Sequence, residues 1–183
     1  TVSMMNKYFD GVIPTENLRA TEFDATLKAH AEGVRAKYEE SMEKMQFSVV
    51  LAEIWSLVSR TNKYIDETSP WVLAKDEADK PKLAAVMSNL AESLRHIAVM
   101  LQPFMTNAPK QIIEQLGLNE SYLTWDSIAT FGNVIAEGTK VVEKGVPIFP
   151  RLEAEVEIAY IREQMTKGMT TAPVVEEVKQ EEV

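Results

Sequence analysis

Hydrophobic residues recur every three or four positions through most of the first 116 residues, with charged residues between them. This spacing places hydrophobic side chains on one face of an α-helix. The pattern predicts a first amphipathic helix over residues 23–45. Its expected buried face contains Phe23, Leu27, Ala31, Val34 and Tyr38. Thr21 and Asp24 fit a weak capping box at the start of this helix, with Asp in place of the usual Glu.

A second helix is predicted from Phe47 to just before Pro70, because proline disfavours the helical conformation at the residue that precedes it. We expect its buried stripe to contain Phe47, Leu51, Ile54, Trp55, Val58, Asn62 and Ile65. Trp55 is therefore predicted to lie in the core.

The rest of the chain predicts three more helices and little else that is regular. Pro81 suits the first turn of a helix that ends before Pro103. A shorter helix is predicted over residues 108–116, with Gly117 as its cap residue. Residues 122–148 are loop-rich, with a short strand pair conceivable, and a final helix is predicted over residues 153–167.

These elements predict an all-α protein, an antiparallel bundle of four or five helices. We assign residues 1–121 to the bundle and residues 122–167 to a loop-rich extension and final helix that pack on it. Residues 168–183 have no aromatic residue and are rich in Glu, Val and Lys, so they are expected to be a disordered linker. The hydrophobic residues within 1–9 resemble the end of a helix that begins upstream.

Composition restricts the chemistry of the chain. Zero cysteines exclude disulfides, thiolate metal sites and cysteine nucleophiles, and they fit a reducing, cytoplasmic location. No apolar run approaches the roughly 20 residues that span a bilayer, so we expect a soluble protein with no membrane partner. His30 and His96 are the only histidines, and Glu92 and His96 form one pair four residues apart. We predict no metal site, since a site needs three or four converging ligands, and no catalytic residues or bound cofactor.

The net charge of -9 disfavours a general nucleic-acid binder, because non-specific affinity comes mostly from basic residues that neutralise phosphates. The window from Arg60 to Lys110 is the exception, with seven basic and six acidic residues. Any contact with a phosphate backbone is therefore expected within this part of the chain.

Residues 62–75 contain the strongest candidate site. Asn62 and Asp66 are four residues apart and share a helical face, while Pro70 ends the helix and places Trp71 on the following turn. Aromatic faces bind single-stranded bases by stacking, and amides and carboxylates read base edges. Two simpler interpretations stay open: Trp71 as an ordinary core or rim aromatic, and Asn62 and Asp66 as groups that satisfy backbone donors at a helix end.

The same segment resembles the anticodon-binding domain of bacterial methionyl-tRNA synthetases, with the pattern Asn-x-Tyr-x-Asp-x-x-x-Pro-Trp-x-x-Ala-Lys. Three further segments are similar to the family: Asn6 to Gly11, Leu123 to Asp126 and Ile148 to Leu152. The resemblance covers nearly all of residues 1–167.

The resemblance implies that Trp71 stacks on a base of the CAU anticodon of methionine tRNA, with Asn62, Asp66 and Pro70 around it. It implies a parent methionine-tRNA ligase whose catalytic domain, in the same polypeptide, uses ATP. Because the ATP-site signatures are absent here, this chain alone is expected to be inactive. A family asparagine and arginine would fall just before Thr1, and a homodimer through a C-terminal domain is possible. The rival hypothesis is a helical protein-interaction module with no RNA role, which the acidity favours.

Overall fold

The computed structural model describes residues 1–169, which contain seven α-helices. The helices are α1 Val2–Phe9, α2 Asp24–Glu43, α3 Phe47–Thr68, α4 Pro70–Leu73, α5 Lys80–Leu101, α6 Ala108–Gln115 and α7 Ala154–Met169. Short 3-10 helices cover Glu77–Asp79, Glu120–Leu123 and Trp125–Ile128. Within residues 1–169 there is no strand, only an isolated antiparallel bridge between Val12 and Lys140. The predicted all-α class is confirmed, and residues 170–183 of the predicted linker lie outside the described range.

The chain forms two compact units, Thr1–Ile148 and a second unit that begins at Phe149. In the first unit, α2, α3 and α5 pack against one another, and α6 packs against α5. Because only residues 44–46 join α2 to α3, these two helices run antiparallel, as predicted. The second unit contains α7, which runs two residues beyond its predicted end. The predicted domain boundary at residue 121 and the packing of the final helix on the bundle stay predictions.

The core of the first unit is centred on α5. Sixteen of its 22 residues are buried, so this helix is enclosed on nearly all sides. The predicted stripe of α2 is confirmed for Leu27, Ala31, Val34 and Tyr38, all of which are buried. The predicted limits of α5 and α6 hold to within one residue.

The predicted buried stripe of α3 is wrong, because the face that is buried is rotated by about one residue position around the helix axis. Its buried face contains Val50, Ile54, Leu57, Thr61, Tyr64 and Thr68, whereas Phe47, Trp55 and Asn62 are exposed. Two threonines can lie inside because Thr61 Oγ1 donates to Leu57 O at 2.8 Å and Thr68 Oγ1 donates to Tyr64 O at 2.7 Å. Their hydroxyls are satisfied within the helix, so burial leaves no unpaired polar group. A pattern that counts only hydrophobic residues therefore misplaces this face.

The start of α2 also differs from the prediction. The helix begins at Asp24. The Thr21 hydroxyl donates to the Asp24 carboxylate and accepts a hydrogen bond from the Phe23 amide at 3.3 Å, so it does not cap an amide within the helix. The same carboxylate accepts a hydrogen bond from Tyr64 Oη of α3 at 2.8 Å. Asp24 thus acts in a tertiary contact, which local capping rules do not anticipate.

Tyr64 joins the three central helices. Its ring is fully buried, its hydroxyl donates to Asp24 at the start of α2, and it accepts a hydrogen bond from Asn89 Nδ2 of α5 at 3.1 Å. Burial raises the pKa of the Tyr64 hydroxyl well above its ordinary value of 10, and the nearby Asp24 carboxylate raises it further. The hydroxyl is therefore a neutral donor and acceptor at any physiological pH.

We expect Tyr64→Phe to lower the free energy of unfolding by about 1–2 kcal/mol, because it removes both hydrogen bonds and leaves the Asp24 and Asn89 groups short of a partner. Urea unfolding followed by circular dichroism measures this loss. Tyr160→Phe, at an exposed position of α7, is the matched control and should change stability by less than about 0.5 kcal/mol. Equal effects of the two substitutions would contradict the role of Tyr64.

The irregular segment after α6 is attached to α5 by a buried ionic group. Arg95 is fully buried and donates to Glu92 Oε2 from Nε at 3.1 Å and from Nη2 at 2.6 Å. Its Nη1 donates to the backbone oxygen of Ser127 at 2.7 Å and to the Ser127 hydroxyl at 3.0 Å. A buried guanidinium is tolerated only with such partners, so Arg95 holds residues 125–128 in place.

Trp125 attaches the same segment to α2. Its indole lies 4.8 Å from the Tyr38 ring, between centroids, and its Nε1 donates to Glu39 Oε1 at 2.8 Å. The guanidinium of Arg35 lies 5.4 Å from the Trp125 ring. Trp125 thus anchors the irregular segment to α2.

The end of α6 is enclosed by the chain that returns from this segment. Gly117 caps the helix in the left-handed region, with φ of 71°, as its position predicted. A Cβ atom there would lie 1.7 Å from the carbonyl oxygen of Lys140. Nearby, Asn6 Nδ2 donates to the carbonyl oxygens of Val142 and Glu143 at 2.9 and 3.1 Å. Residues 140–143 are thereby held between α1 and α6.

His96 supplies a pH-dependent contribution to stability. It is buried, with its ring 5.1 Å from the Phe131 ring. Burial, reinforced by the positive charge of Arg95, lowers the pKa of His96 from 6.5 to about 3. Below pH 6.5 the unfolded chain therefore binds a proton that the folded chain does not bind. Stability from this group is complete above pH 6.5 and is lost as the pH falls from 6.5 towards 3.

We expect His96→Gln to reduce the dependence of unfolding free energy on pH between about pH 6 and pH 4, by up to about 1.4 kcal/mol per pH unit, the amount that one proton contributes. Urea titrations at several pH values measure both slopes. His30→Gln, at a half-buried position where the imidazole lies 3.1 Å from Ser56 Oγ of α3, is the control for the loss of a histidine. An unchanged slope in His96→Gln would show that the imidazole is already protonated in the fold.

Candidate nucleic-acid interface

The junction between α3 and α4 is a sharp break at Ser69 and Pro70. Helix α3 ends at Thr68, as predicted, and Ser69 adopts the left-handed conformation with φ of 42°. Pro70 disfavours the helical conformation at Ser69 and then occupies the first position of α4, where its missing amide hydrogen costs nothing. The Val72 amide donates to Ser69 O at 2.7 Å, which closes the turn. The direction of the chain at Trp71 is therefore fixed by the backbone.

Helix α4 has an inner side and an outer side. Pro70 is buried, and Leu73 and Ala74 pack against the hydrophobic core. Trp71 and Val72 point outward, with 48% and 52% of their surface exposed. Trp71 is thus not a core aromatic: it is a half-exposed indole on a turn that its neighbours anchor.

Asn62 and Asp66 lie exposed on the outer face of α3, one helical turn apart. The end of α3 is capped by other atoms, since Ser69 N donates to Ile65 O at 3.0 Å and Ser69 Oγ donates to Asp66 O at 3.0 Å. Within residues 1–169 neither the Asn62 amide nor the Asp66 carboxylate forms a hydrogen bond or ion pair. Their polar atoms are free for a ligand, and the alternative role at the helix end is not seen.

A group of three charged residues lies on the same helix as Asn62 and Asp66. Arg60 Nη2 and Glu67 Oε2 are 2.8 Å apart, and Lys63 Nζ lies 3.7 Å from Glu67 Oε1. The hydrogen bond from Arg60 lowers the pKa of Glu67, which therefore stays ionised at neutral pH. Together the three side chains carry a net charge of +1, and the Lys63 side chain is 71% exposed.

The structure brings together part of the predicted site. Asn62 and Asp66 share one exposed face of α3, and Trp71 is exposed just beyond the end of that helix. Pro70 is buried, so its role is to position Trp71 and not to contact a ligand through an open face.

Trp55 was predicted to lie in the core, but half of its surface is exposed (50%). The signal was present in the spacing, because Trp55 lies seven and eleven residues before Asn62 and Asp66, which are two and three helical turns. A residue so spaced from two polar side chains shares their outer face.

The part of the chain that the structure describes contains no group of three or more His, Asp or Glu side chains arranged to hold a metal ion. None of its helices combines the length and the apolar character needed to cross a membrane.

Comparisons with known proteins agree on one family. A family model described as the anticodon binding domain of methionyl tRNA ligase matches residues 13–164. The chain is 58% identical over all 183 residues to methionine–tRNA ligase 1 of Bacillus cereus and 56% identical to methionine–tRNA ligase of Bacillus subtilis, and it covers 27% of each of these proteins. A crystal structure of Mycobacterium tuberculosis methionyl-tRNA synthetase in its free state superposes with a TM-score of 0.74 and 26% identity, over 83% of this chain and 30% of that one. The chain thus spans about a quarter of the length of its relatives.

Proposed function

Because the chain belongs to the family of anticodon-binding domains of methionyl-tRNA ligase, we propose that it binds the CAU anticodon loop of methionine tRNA. The observation that carries the proposal is the half-exposed Trp71, which stands on an anchored turn directly after α3, the helix that exposes Asn62 and Asp66.

An unpaired base stacks on the Trp71 indole in this proposal. Every base has a flat π face, so stacking provides affinity with little sequence preference. Discrimination comes from base edges, which the Asn62 amide can read as donor and acceptor and the Asp66 carboxylate as acceptor only. Pro70 contributes indirectly, because its burial keeps Trp71 from turning inward.

The acidity of the chain is compatible with this function because the acidic groups near Trp71 are partly neutralised. Glu67 is paired with Arg60 and Lys63, and the exposed Lys63 ammonium lies one residue from Asn62. Arg60, Lys63, Asp66 and Glu67 together carry no net charge, so a phosphate backbone that passes this part of α3 meets a neutral group, although the whole chain is negative.

The proposal extends to a longer protein. The relatives are methionine–tRNA ligases, so we propose that this domain positions tRNA for aminoacylation by a catalytic domain of the same polypeptide, with ATP as a substrate there and no cofactor bound by residues described here. A cytoplasmic location belongs to the same proposal and fits a chain without cysteine. A homodimer through a further C-terminal domain stays a prediction.

We expect Trp71→Ala to weaken binding of a hairpin RNA with a CAU loop by about ten- to a hundredfold, since stacking on one base contributes roughly 1–3 kcal/mol. Fluorescence anisotropy at one salt concentration measures the affinity. Val72→Ala is the matched control, because Val72 is the equally exposed neighbour on the same turn, and it should bind within about twofold of the unmodified chain.

Equal affinity of the Trp71→Ala variant and the unmodified chain, with helical content unchanged, would refute the proposed site. No measurable binding of either a CAU or a scrambled loop by the unmodified chain would instead favour the rival hypothesis, a helical module that binds protein.

We expect Asp66→Asn to reduce discrimination between a CAU loop and loops with one altered base by about fivefold or more, because an edge contact in nucleic-acid recognition contributes roughly 1–3 kcal/mol. The measurement is the ratio of dissociation constants for the two loops. Glu43→Gln removes one negative charge from an exposed position at the end of α2 and controls for general repulsion of phosphates. If both variants keep the original ratio, Asp66 does not read a base.

A further inference from the structure

The outer face of α3 presents one continuous exposed stripe. Its positions are separated by alternating steps of four and three residues, which keep them on one side of a helix. The stripe consists of Ser48, Ala52, Trp55, Ser59, Asn62 and Asp66, all exposed. We call this set the outer stripe. It leads along α3 towards the turn that carries Trp71.

Trp55 is the one large hydrophobic side chain on the outer stripe. Half of its surface is exposed, and its indole has no ring stacking, hydrogen bond or cation contact among the described residues. Its neighbours on the stripe are the small residues Ala52 and Ser59, and the half-buried Leu51 and Val58 lie next to it on one side. Trp125, in contrast, contacts Tyr38, Arg35 and Glu39, which anchor its indole. Trp55 has no such contacts, so its exposed ring is available to a ligand.

The charge of the outer stripe suits a nucleic-acid strand. From Ser48 to Asn62 it contains no charged residue, in a chain with 28 acidic residues. Its single carboxylate, Asp66, lies at the Trp71 end, where a base edge is proposed to be read. The nearest acidic residue of the helix, Glu53, points to α2 and pairs with Lys37 at 3.4 Å. Between Asn62 and Ser48 a phosphate backbone can thus follow the stripe without meeting an unpaired carboxylate, and Asp66 is the one unpaired carboxylate on the stripe.

The dimensions fit a short run of nucleotides. With a rise of 1.5 Å per residue, Trp55 lies about 19.5 Å along the helix from Thr68, the last residue before the turn that carries Trp71. Bases in a stacked strand are about 3.4 Å apart, so this length corresponds to about six stacked steps. A base that stacks on Trp55 therefore lies outside a triplet that contacts Trp71.

We propose that Trp55 is a second stacking platform, which binds an unpaired nucleotide of the RNA loop outside the triplet that contacts Trp71. This inference rests on the proposed function and extends its contact surface along α3. The occupant is RNA and not a protein helix, because a protein partner needs a broad apolar patch. The outer stripe offers one flat aromatic ring between small and polar side chains.

Substitutions at Trp55 separate stacking from simple hydrophobic contact. Trp55→Leu keeps an apolar side chain without a flat face and should weaken binding of the CAU hairpin by about fivefold or more, whereas Trp55→Phe should stay within about twofold. Val49→Ala is the matched control, because Val49 is exposed on the same helix but outside the outer stripe, and it should leave affinity unchanged. The 183-residue chain is used throughout, with circular dichroism to confirm equal helical content.

Abasic substitutions in the RNA identify the nucleotide. Removal of one base outside the triplet should weaken binding by the unmodified chain and have little further effect on Trp55→Leu, while removal of a triplet base should weaken both equally. Such non-additivity marks a direct pair.

Equal affinities of Trp55→Leu, Trp55→Phe and the unmodified chain would overturn the inference, and so would equal losses in the Leu and Phe variants. These results differ from a failure of the proposed function, which is tested by Trp71→Ala. If Trp71→Ala loses affinity for the CAU hairpin and Trp55→Leu does not, the proposed function stands and only the second stacking platform is refuted.

Discussion

The hydroxyl of Tyr64 is the contact on which the arrangement of the central helices depends. It links α3 to the start of α2 through Asp24 and to α5 through Asn89, and its ring fills the space between them. Two residues to either side of Tyr64 lie Asn62 and Asp66, which point to solvent. The rotation of α3 that buries Tyr64 is therefore the same rotation that exposes the candidate base-reading side chains.

Buried residues and exposed candidate binding residues alternate along the segment from Asn62 to Trp71. Tyr64, Thr68 and Pro70 are buried and fix α3 and the following turn, while Asn62, Asp66 and Trp71 are exposed. This division lets a rigid scaffold carry groups that are free to bind. Because the exposed groups have no partner in the fold, a ligand that binds them does not have to break internal hydrogen bonds.

The strongly negative net charge of the chain is not found on the exposed surface of α3. Two carboxylates of α3 are paired with basic side chains, Glu67 with Arg60 and Glu53 with Lys37, whereas Asp66 has no such partner among the described residues. The outer stripe itself is neutral as far as Asn62. Net charge governs long-range attraction, whereas the groups within a few ångströms govern whether a strand can bind at all. We therefore expect affinity for RNA to be local to this face.

The sequence by itself determined the helices, because prolines, glycines and regular hydrophobic spacing act through neighbouring residues: the ends of α3, α5 and α6 and the buried face of α2 follow from these local signals. It also marked Trp71, Asn62 and Asp66 as candidates. Only the tertiary structure decided which way α3 faces. Thr61 and Thr68 are buried since their hydroxyls bond to the helix backbone, and Trp55 is exposed since no element among the described residues covers that side. Packing between distant segments sets this rotation, and the pattern of hydrophobic residues within one helix does not contain it.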